Sequence, residues 1–402
     1  MPSLKSLNAR QKRLFLKAVE PPLALAHLAS RLLTLDLLRD HSLPEPGPIR
    51  ILIVRLDTIG DVLLSEPAIA ALRDRYPQAR IDLVASRWGH ELLAGNPAVD
   101  GFVEYEGPWH AAWRGRKVRW GQELRRMLAV LQRLRRTRYD LAVELRGDFR
   151  DIVFLALTKA KAKVGNSHRG GGFLLHYDAR ADLTCHRVDF ALAIARVAGA
   201  AMPARPPRLY LTEGERRRAE DLLPPDKEYI AVHLGAGFPS KRLPISTFAA
   251  VGRRLCEKET HRRLVIVGGT EDRDLADEFA KLSGLPVVDL AGRVSLRETA
   301  AVLERCRLFI GNDSAPMHLA AAVGTPVVAV FGPSEPANYR PYGVPHRIVE
   351  TSLPCRPCDH VHCIQSDYLC MTGISADEIV GAAEELLALA GAMAGRPSGS
   401  TQ

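Results

Sequence analysis

The stretch CRLFIGNDSAPMHLAAAVGTPVVAVFGPSEP, residues 306–336, holds the pattern from which the rest of the chain is read. Its apolar run at 308–310 is short and closes at Gly311, as a buried strand does. Asn312, Asp313 and Ser314 follow, any of which can cap a helix, and Pro316 suits a first turn. The helix predicted over 316–323 is small and apolar and stops at Gly324. A second apolar run, 327–331, comes after Pro326 and ends at Gly332-Pro333-Ser334. Strand, capped helix and strand in that order collect polar residues where strands end and the helix begins. Open parallel sheets bind ligands at that edge. A helix N-terminus there offers N–H groups and positive potential to an anion, so the stretch predicts a phosphate-type binding site.

Moving toward the N-terminus, the same grammar repeats. A strand at 229–234 runs into Gly235-Ala236-Gly237-Phe238-Pro239-Ser240-Lys241-Arg242, a glycine-rich turn whose N–H groups and cations can wrap a diphosphate. It is no Walker loop, because G-x-x-x-x-G-K-[ST] is absent. A strand at 264–267 ends in Gly268-Gly269-Thr270-Glu271, and one at 287–290 in Ala291-Gly292-Arg293-Val294-Ser295. Four strands ending in small polar loops argue for one nucleotide site built from all of them. Asp272-Arg273-Asp274 has the letters of the D-x-D metal signature but reads as the opening of a helix.

The first half starts with a strand at 49–56 and the loop Asp57-Thr58-Ile59-Gly60-Asp61. A helix over 62–76, with Pro67 in its first turn, and a strand at 81–85 complete a βαβ unit. Asp61 stands at the carboxyl edge of the first strand, either capping the helix or facing a ligand. No G-x-G-x-x-G accompanies it. Another strand, 139–145, ends at Arg146-Gly147-Asp148. The remainder to residue 211 reads as helix and loop, with His186 and Asp189 opening a helix at 188–197.

Two basic segments stand out. Residues 1–48 read as an appendage in which Lys5, Arg10, Lys12, Arg13 and Lys17 mix with leucines, closed by Pro44-Glu45-Pro46-Gly47-Pro48. Such a segment is either a helix packed on the domain or one lying on an anionic membrane. Residues 108–138 hold ten Lys or Arg against one acid, Glu123, with Trp109, Trp113 and Trp120 interleaved. A solvated helix face, nucleic acid and a phosphorylated lipid head group all fit that tract.

Bulk properties agree with an α/β enzyme. At 402 residues the chain can fill two cores, and 47% hydrophobic, 6% aromatic and 25% charged residues are an ordinary globular balance. A formal charge of +9 points to acidic ligands or a negative surface without choosing one. The N-terminus reads as no secretory signal and no apolar run nears the roughly 20 residues of a spanning helix, so a cytoplasmic protein is expected. Of seven cysteines, four crowd into 355–370. Cys355, Cys358, Cys363 and Cys370, with His360 and His362 between, leave zinc, reduced thiols or a redox-sensitive clasp open.

Taken together, R-L-D-T-I-G-D-V-L-L-S-E-P (55–67), H-L-G-A-G…K-R-L-P (233–244), L-A-G-R-V-S-L (290–296), G-N-D-S-A-P-M-H-L-A-A-A (311–322) and F-G-P-S-E-P (331–336) resemble the ADP-heptose:lipopolysaccharide heptosyltransferases, glycosyltransferase family 9. The resemblance runs from about residue 49 to the C-terminus, in order and with family-like spacing.

It implies an α/β protein of the GT-B fold, two Rossmann-like domains facing each other across a cleft. Residues 49–210 would form the acceptor domain after the 1–48 extension. Residues 211–402 would form the nucleotide-sugar donor domain, with the cysteine-rich segment and a C-terminal helix. The implied reaction is inverting transfer of a heptose, or a similar sugar, from an ADP-sugar or other nucleotide-sugar to a lipopolysaccharide-core or related glycolipid acceptor. Asp61 matches the proposed general base, and Lys241 the lysine on the donor phosphates. Asp313, Ser314, Ala315 and His318 match the donor-site motif. Ala236 and Gly237 would give backbone N–H groups, Glu271 a ribose contact and Val294 a contact to the base. No cofactor or metal is implied, since Lys241 and the helix N-terminus can neutralise the leaving group. The expected partners are the donor, the glycolipid acceptor and an anionic membrane surface at the inner face of the cytoplasmic membrane, not nucleic acid. A family 9 enzyme with another sugar and acceptor is the alternative. A non-catalytic nucleotide-sugar or anionic-lipid binding protein is the other, and retention of both Asp61 and Lys241 speaks against it.

Overall fold

The computed structural model describes residues 41–109, 118–201, 205–257, 259 and 261–394, with side chains to residue 389. The leucine-rich basic segment 1–40 and the tract 110–117 lie outside the described residues. The chain divides into two compact units, 1–90 with 96–204, and 205–402 with 91–95.

In the first unit the strands are β1 (Arg50–Arg55), β2 (Arg80–Ala85), β3 (Gly101–Glu104), β4 (Leu141–Glu144), β5 (Ala162–Gly165) and β6 (Tyr177–Asp178). They form one parallel sheet in the order β3-β2-β1-β4-β5-β6. The helices are α1 (Ile59–Leu64), α2 (Glu66–Arg75), α3 (Arg87–Leu92), α4 (Trp120–Thr137), α5 (Phe149–Leu157) and α6 (Arg187–Val197). Central strands of such a sheet are covered on both faces and read as unbroken apolar runs. Accordingly Ile51, Leu52, Ile53 and Val54 of β1 are all fully buried.

Two expectations are corrected here. The helix expected over 62–76 is two helices, α1 and α2, parted at Ser65. Pro67 has no N–H to donate and its ring crowds the preceding turn. The chain closes α1 with a short Ser65 N–H bond to the Val62 carbonyl and starts again with Pro67 in the first turn of α2. The segment expected as helix and loop up to 211 contains β5 and β6. β5 is only four residues, AKVG, and β6 only two, so neither shows a period.

The second unit repeats the plan with β7 (Glu228–His233), β8 (Arg262–Ile266), β9 (Val287–Asp289), β10 (Leu308–Asn312), β11 (Val327–Phe331) and β12 (His346–Glu350), parallel in the order β12-β11-β10-β7-β8-β9. Its helices are α7 (Glu213–Leu222), α8 (Ile245–Glu257), α9 (Arg273–Ser283), α10 (Leu296–Glu304), α11 (Ala315–Ala322), α12 (Pro336–Tyr339), α13 (Leu369–Thr372) and α14 (Ala376–Ala394). Both sheets thus have the doubly wound order in which the chain reverses direction across the sheet between the first and fourth strands. A crevice opens at that switch point, outside the carboxyl ends of the strands. It lies between β1 and β4 in the first unit and between β7 and β10 in the second.

Gly147 shows how tightly the first of these edges is built. It has φ +76°, and a Cβ there would stand 2.6 Å from the His168 ring and 2.9 Å from the Asn166 carbonyl. Gly147→Ala should cost about 1–3 kcal/mol of stability, from the left-handed backbone and the clash. A thermal melt indistinguishable from the parent's would refute this account of the β4 edge.

Candidate functional site

At the switch point of the first unit, β1 ends in Arg55 and β4 in Glu144. The Arg55 guanidinium, 5% exposed, donates to the Leu145 carbonyl at 2.6 Å and to the Asp61 carbonyl at 3.0 and 3.2 Å. It thereby ties the ends of both strands to the first turn of α1. The Asp61 carboxylate accepts the Thr58 hydroxyl at 2.7 Å and lies 3.7 Å from Arg55, with 22% of its side chain exposed. Arg146 makes a second bridge, to Asp57 at 3.0 Å, the Leu56 carbonyl at 3.1 Å and Asp151 at 3.4 Å. Glu144 accepts the N–H groups of Arg146 and Gly147, each at 2.7 Å.

The carboxyl groups of Asp57, Asp61, Glu144, Asp148 and Asp151 and the guanidiniums of Arg55, Arg146 and Arg150 therefore share this edge, and burial separates their behaviour. Burial pushes the Glu144 carboxyl up to about 7, against the two N–H groups and Arg55, which pull it down. Burial and then the charge of Asp61 raise Asp57, against Arg55 and Arg146. Asp148 goes the other way. Burial would raise it, but the hydrogen bonds and charge of Arg150, with the charge of Arg146, hold it well below the usual range. Asp57 is the buried member of its pair and Asp61 the accessible one.

In the second unit the switch point is closed by Asn312, fully buried at the end of β10. Its amide donates to the Leu234 and Gly235 carbonyls at 3.1 and 2.9 Å and accepts the Leu243 N–H at 3.2 Å. That staples the glycine-rich turn at both ends. Within it, Lys241 reaches Asp313 at 2.6 Å, and Asp313 also accepts the Ser334 hydroxyl from the loop after β11. The ammonium stands 5.8 Å from the centre of the Phe238 ring and 6.0 Å from that of Tyr339, close enough for both faces to attract it. Arg242 donates to the Ala236 carbonyl at 3.1 and 3.3 Å, curling the turn.

Ser314 occupies the N-cap of α11, but its side chain does not cap that helix. Its hydroxyl bonds the Asn312 carbonyl and the Nδ1 of His233, both at 3.0 Å. The His233 Nε2 meets Asp272 at 3.3 Å, and Asp272 also accepts the Gly269 N–H at 2.9 Å. Burial would raise Asp272, but the hydrogen bond and charge of His233, the Gly269 N–H and Arg242 hold it below the usual carboxylate range. A Cβ at Gly235 would stand 2.0 Å from Asp272, so only glycine lets this buried carboxylate approach the turn. Asp272-Arg273-Asp274 is thus the start of α9, with its first aspartate buried and bonded inward.

Of the residues expected from sequence, Lys241 and Asp313 are in direct contact, with Ser314, Ala315 and His318 following on α11. Ala236 and Gly237 lie in the same turn as Lys241. Glu271, exposed, and Val294 sit on neighbouring loops that a Gly292 N–H bond to the Gly268 carbonyl (3.0 Å) and an Arg273 bond to the Gly292 carbonyl (2.6 Å) hold together. Asp61 belongs to the first unit. Arg55, Arg146, His233 and Ser334 are not singled out by the sequence, and Asn312, which it offers as a helix cap, instead bonds the glycine-rich turn. Each ends a strand or follows one inside a quoted motif or loop, and strand-end position is the signal that could have found them.

The cysteine-rich segment braces the loops after β7 and β11. The N–H groups of Cys358 and Asp359 donate to the Pro333 carbonyl at 2.9 and 3.1 Å, the Ser240 N–H donates to the Val361 carbonyl at 3.3 Å, and the Ser240 hydroxyl donates to the His360 carbonyl. Among the described residues no three His, Cys, Asp or Glu side chains are grouped to hold a metal ion, and the described cysteines are free thiols.

The sequence pattern of glycosyltransferase family 9 (heptosyltransferase) matches residues 127–369. The chain belongs to glycosyltransferase family 9. It is 27% identical to lipopolysaccharide heptosyltransferase 2 of Salmonella typhimurium, over 75% of this chain and 88% of that one. In structure it is similar to a family 9 transferase from Veillonella parvula (TM-score 0.73, 24% identity, 86% of this chain and 99% of that one). It is also similar to ADP-heptose lps heptosyltransferase II of E. coli (TM-score 0.67, 23% identity, 85% and 99%). The two doubly wound sheets are those of a GT-B glycosyltransferase.

In this family 9 transferase the His233–Asp272 contact carries a pH signature. A carboxyl held below its ordinary value of 3.8 stabilises the fold above that pH and loses the contribution as the pH falls through its depressed value. Asp272→Asn should therefore be less stable than the parent at neutral pH, with the gap narrowing on acidification below 3.8. Urea unfolding across the acid range measures this, and a gap of constant size would contradict it.

Proposed function

We propose that this transferase moves a heptose from ADP-heptose to a lipopolysaccharide-core acceptor with inversion at the anomeric carbon. The observation that carries the donor half is the Lys241–Asp313 pair, at 2.6 Å, set at the switch point beside the N-terminus of α11. An ammonium has three N–H donors, so the bond to Asp313 fixes Lys241 and leaves two for a diphosphate. The N-terminus of α11, whose cap side chain is turned away, adds positive potential. Ala236 and Gly237 are assigned backbone contacts to the phosphates, Glu271 the ribose, Val294 the base, and Ser314, Ala315 and His318 the remaining edge of the donor site. The names of the heptosyl-transferring relatives support ADP-heptose as donor and lipopolysaccharide as acceptor class.

The acceptor belongs to the 49–210 half and the donor to the 211–402 half. The acceptor hydroxyl oxygen bonds to the anomeric carbon as the bond from that carbon to the diphosphate oxygen breaks on the opposite face. The hydroxyl proton goes to the Asp61 carboxylate, which Thr58 and Arg55 keep oriented. The electron pair leaves on ADP, where Lys241 and the helix N-terminus neutralise it. Because the acceptor is a glycolipid, the enzyme works at the inner face of the cytoplasmic membrane. Among the described residues no helix is long and apolar enough to cross one.

Incubating the protein with a panel of nucleotide-sugars should show thermal protection by ADP-heptose above that by UDP- or GDP-sugars. Protection by a UDP-sugar alone would overturn the donor assignment. Asp61→Ala should lower turnover at least about a hundredfold with ADP affinity nearly intact, since the base acts on the acceptor. Turnover within a few-fold of the parent would remove Asp61 from that role. Lys241→Ala should weaken ADP binding and slow transfer together, and Lys241→Arg should recover only part, because a planar fork replaces a compact ammonium. ADP affinity equal to the parent's would take Lys241 out of the site.

Transfer should also survive EDTA, because Lys241 and α11 supply the neutralising charge and Asp272 is already bonded to His233 and Gly269. Complete loss of activity, restored by magnesium or manganese, would return Asp272 and Asp274 to consideration as metal ligands.

A further inference from the structure

We propose that the exposed N-terminal half of α4, together with the arginines of its outward side, is the surface by which this protein docks on an anionic lipid bilayer. The inference rests on the glycolipid-acceptor reading and adds to it the place of contact.

The inner face of α4 is an ordinary core seam. Leu131 and Leu134 are buried at 2% and 1% exposure, with Met127 and Val130 packed beside them. That seam runs on toward the N-terminal end of the helix, where it emerges into water, while the far side, with Arg125, Gln132 and Arg136, is polar as expected. Trp120 and Leu124 stand a heptad before Met127 and Leu131, on the same stripe, yet are 68% and 52% exposed, with Leu128 on its flank at 53%. Around them stand Arg125, Arg133, Arg135 and Arg136 with Ala129 and Gln132, and Glu123 is the one acid of the helix. Arg125, Leu128, Arg135, Arg136 and Arg138 line one shallow, open groove of about 840 Å³. Arg135 is held in place by its bond to the Leu157 carbonyl at 2.7 Å, and Leu157 is itself 37% exposed, extending the apolar surface onto α5. Among the described residues no carboxylate pairs with Arg125, Arg133, Arg136 or Arg138, whereas Arg126 lies 3.8 Å from Glu104.

Exposed leucines inside a field of unpaired guanidiniums match one kind of partner well. A bilayer with anionic head groups supplies phosphate oxygens for the arginines and an acyl boundary for the leucines in the same layer. Nucleic acid would use the cations, but its bases stack on aromatic platforms, and this face offers one tryptophan among aliphatic side chains.

The topology gives the contact a purpose. In a parallel sheet the helix between β3 and β4 runs back against the strands, so Trp120 lies toward the carboxyl edge, where Asp61 stands, and Arg138 toward the amino edge. Eighteen residues span about 27 Å at 1.5 Å each. A bilayer seated along that face would hold a lipid-anchored acceptor beside the edge that carries the base.

Flotation of the full-length protein with vesicles of phosphatidylcholine, with and without phosphatidylglycerol, tests this. Binding should require phosphatidylglycerol and be released by high salt. Arg125→Glu with Arg136→Glu should weaken it at least about tenfold. Leu124→Gln with Leu128→Gln, which leaves every charge in place, should weaken it several-fold. Both variants should melt with the parent and transfer sugar to a soluble, delipidated acceptor within about twofold of its rate, since neither touches the Asp61 edge. Equal binding to neutral and anionic vesicles, parental vesicle binding by both variants, or a preference for single-stranded RNA over vesicles would each overturn the proposal. A parent that floats as described yet transfers no heptose would overturn the sugar assignment and leave the docking face standing.

Discussion

The site edge of the second unit depends on a single buried carboxamide. Asn312 ends β10 where the sheet changes direction, and both ends of the glycine-rich turn hang on its amide through the Leu234 and Gly235 carbonyls and the Leu243 N–H. Those backbone groups leave their strand at the switch point and would otherwise be buried without partners, which costs more than a hydrogen bond returns. By satisfying all three, Asn312 sets the path of residues 235–242 and so the position from which Lys241 reaches Asp313, the next residue in the chain. Strand order, turn and ion pair follow one another from that side chain.

The two sheets share one strand order and opposite edge chemistry. In the first unit the switch point gathers carboxyl groups around two buried arginines, an arrangement suited to holding or taking a proton. In the second it gathers glycines, a lysine and a helix N-terminus, an arrangement suited to anions. The division matches the two demands of inverting transfer, deprotonation of a nucleophile and departure of a charged leaving group. It is carried by the last residues of the strands and the loops after them, since the strands beneath are apolar runs.

Much of this was legible in the sequence because the doubly wound plan writes itself as apolar runs closed by small polar residues. The strands around 306–336, the turn at 235–242 and the loop ending in Asp61 all announce themselves in that way. What stayed hidden has local physical causes. The break at Ser65 came from a proline that can begin a helix as readily as interrupt one. β5 and β6 escaped because strands of four and two residues carry no period. Arg55 and His233 escaped for another reason: inside an apolar strand a lone polar residue reads as its end. Only the fold shows that Arg55 spans from β1 to β4, or that His233 links Ser314 on one loop to Asp272 on another. Such bridges join residues dozens of positions apart, and no short window of sequence contains both partners.

The bracing of Ser240 and Pro333 by residues 358–361 has a consequence for affinity measured far from those residues. The loop that carries Lys241 and the loop that carries Ser334 lean on the same surface segment, which has little regular structure of its own and exposes much of its length. Ligand affinity in such an arrangement is the intrinsic affinity multiplied by the fraction of molecules whose brace is closed. A brace closed in one molecule in ten would weaken donor binding about tenfold with every contact atom unchanged. For a ligand held by those two loops, the stiffness of the stretch from Cys355 to Cys370 would therefore enter the affinity from a part of the chain the ligand need never touch.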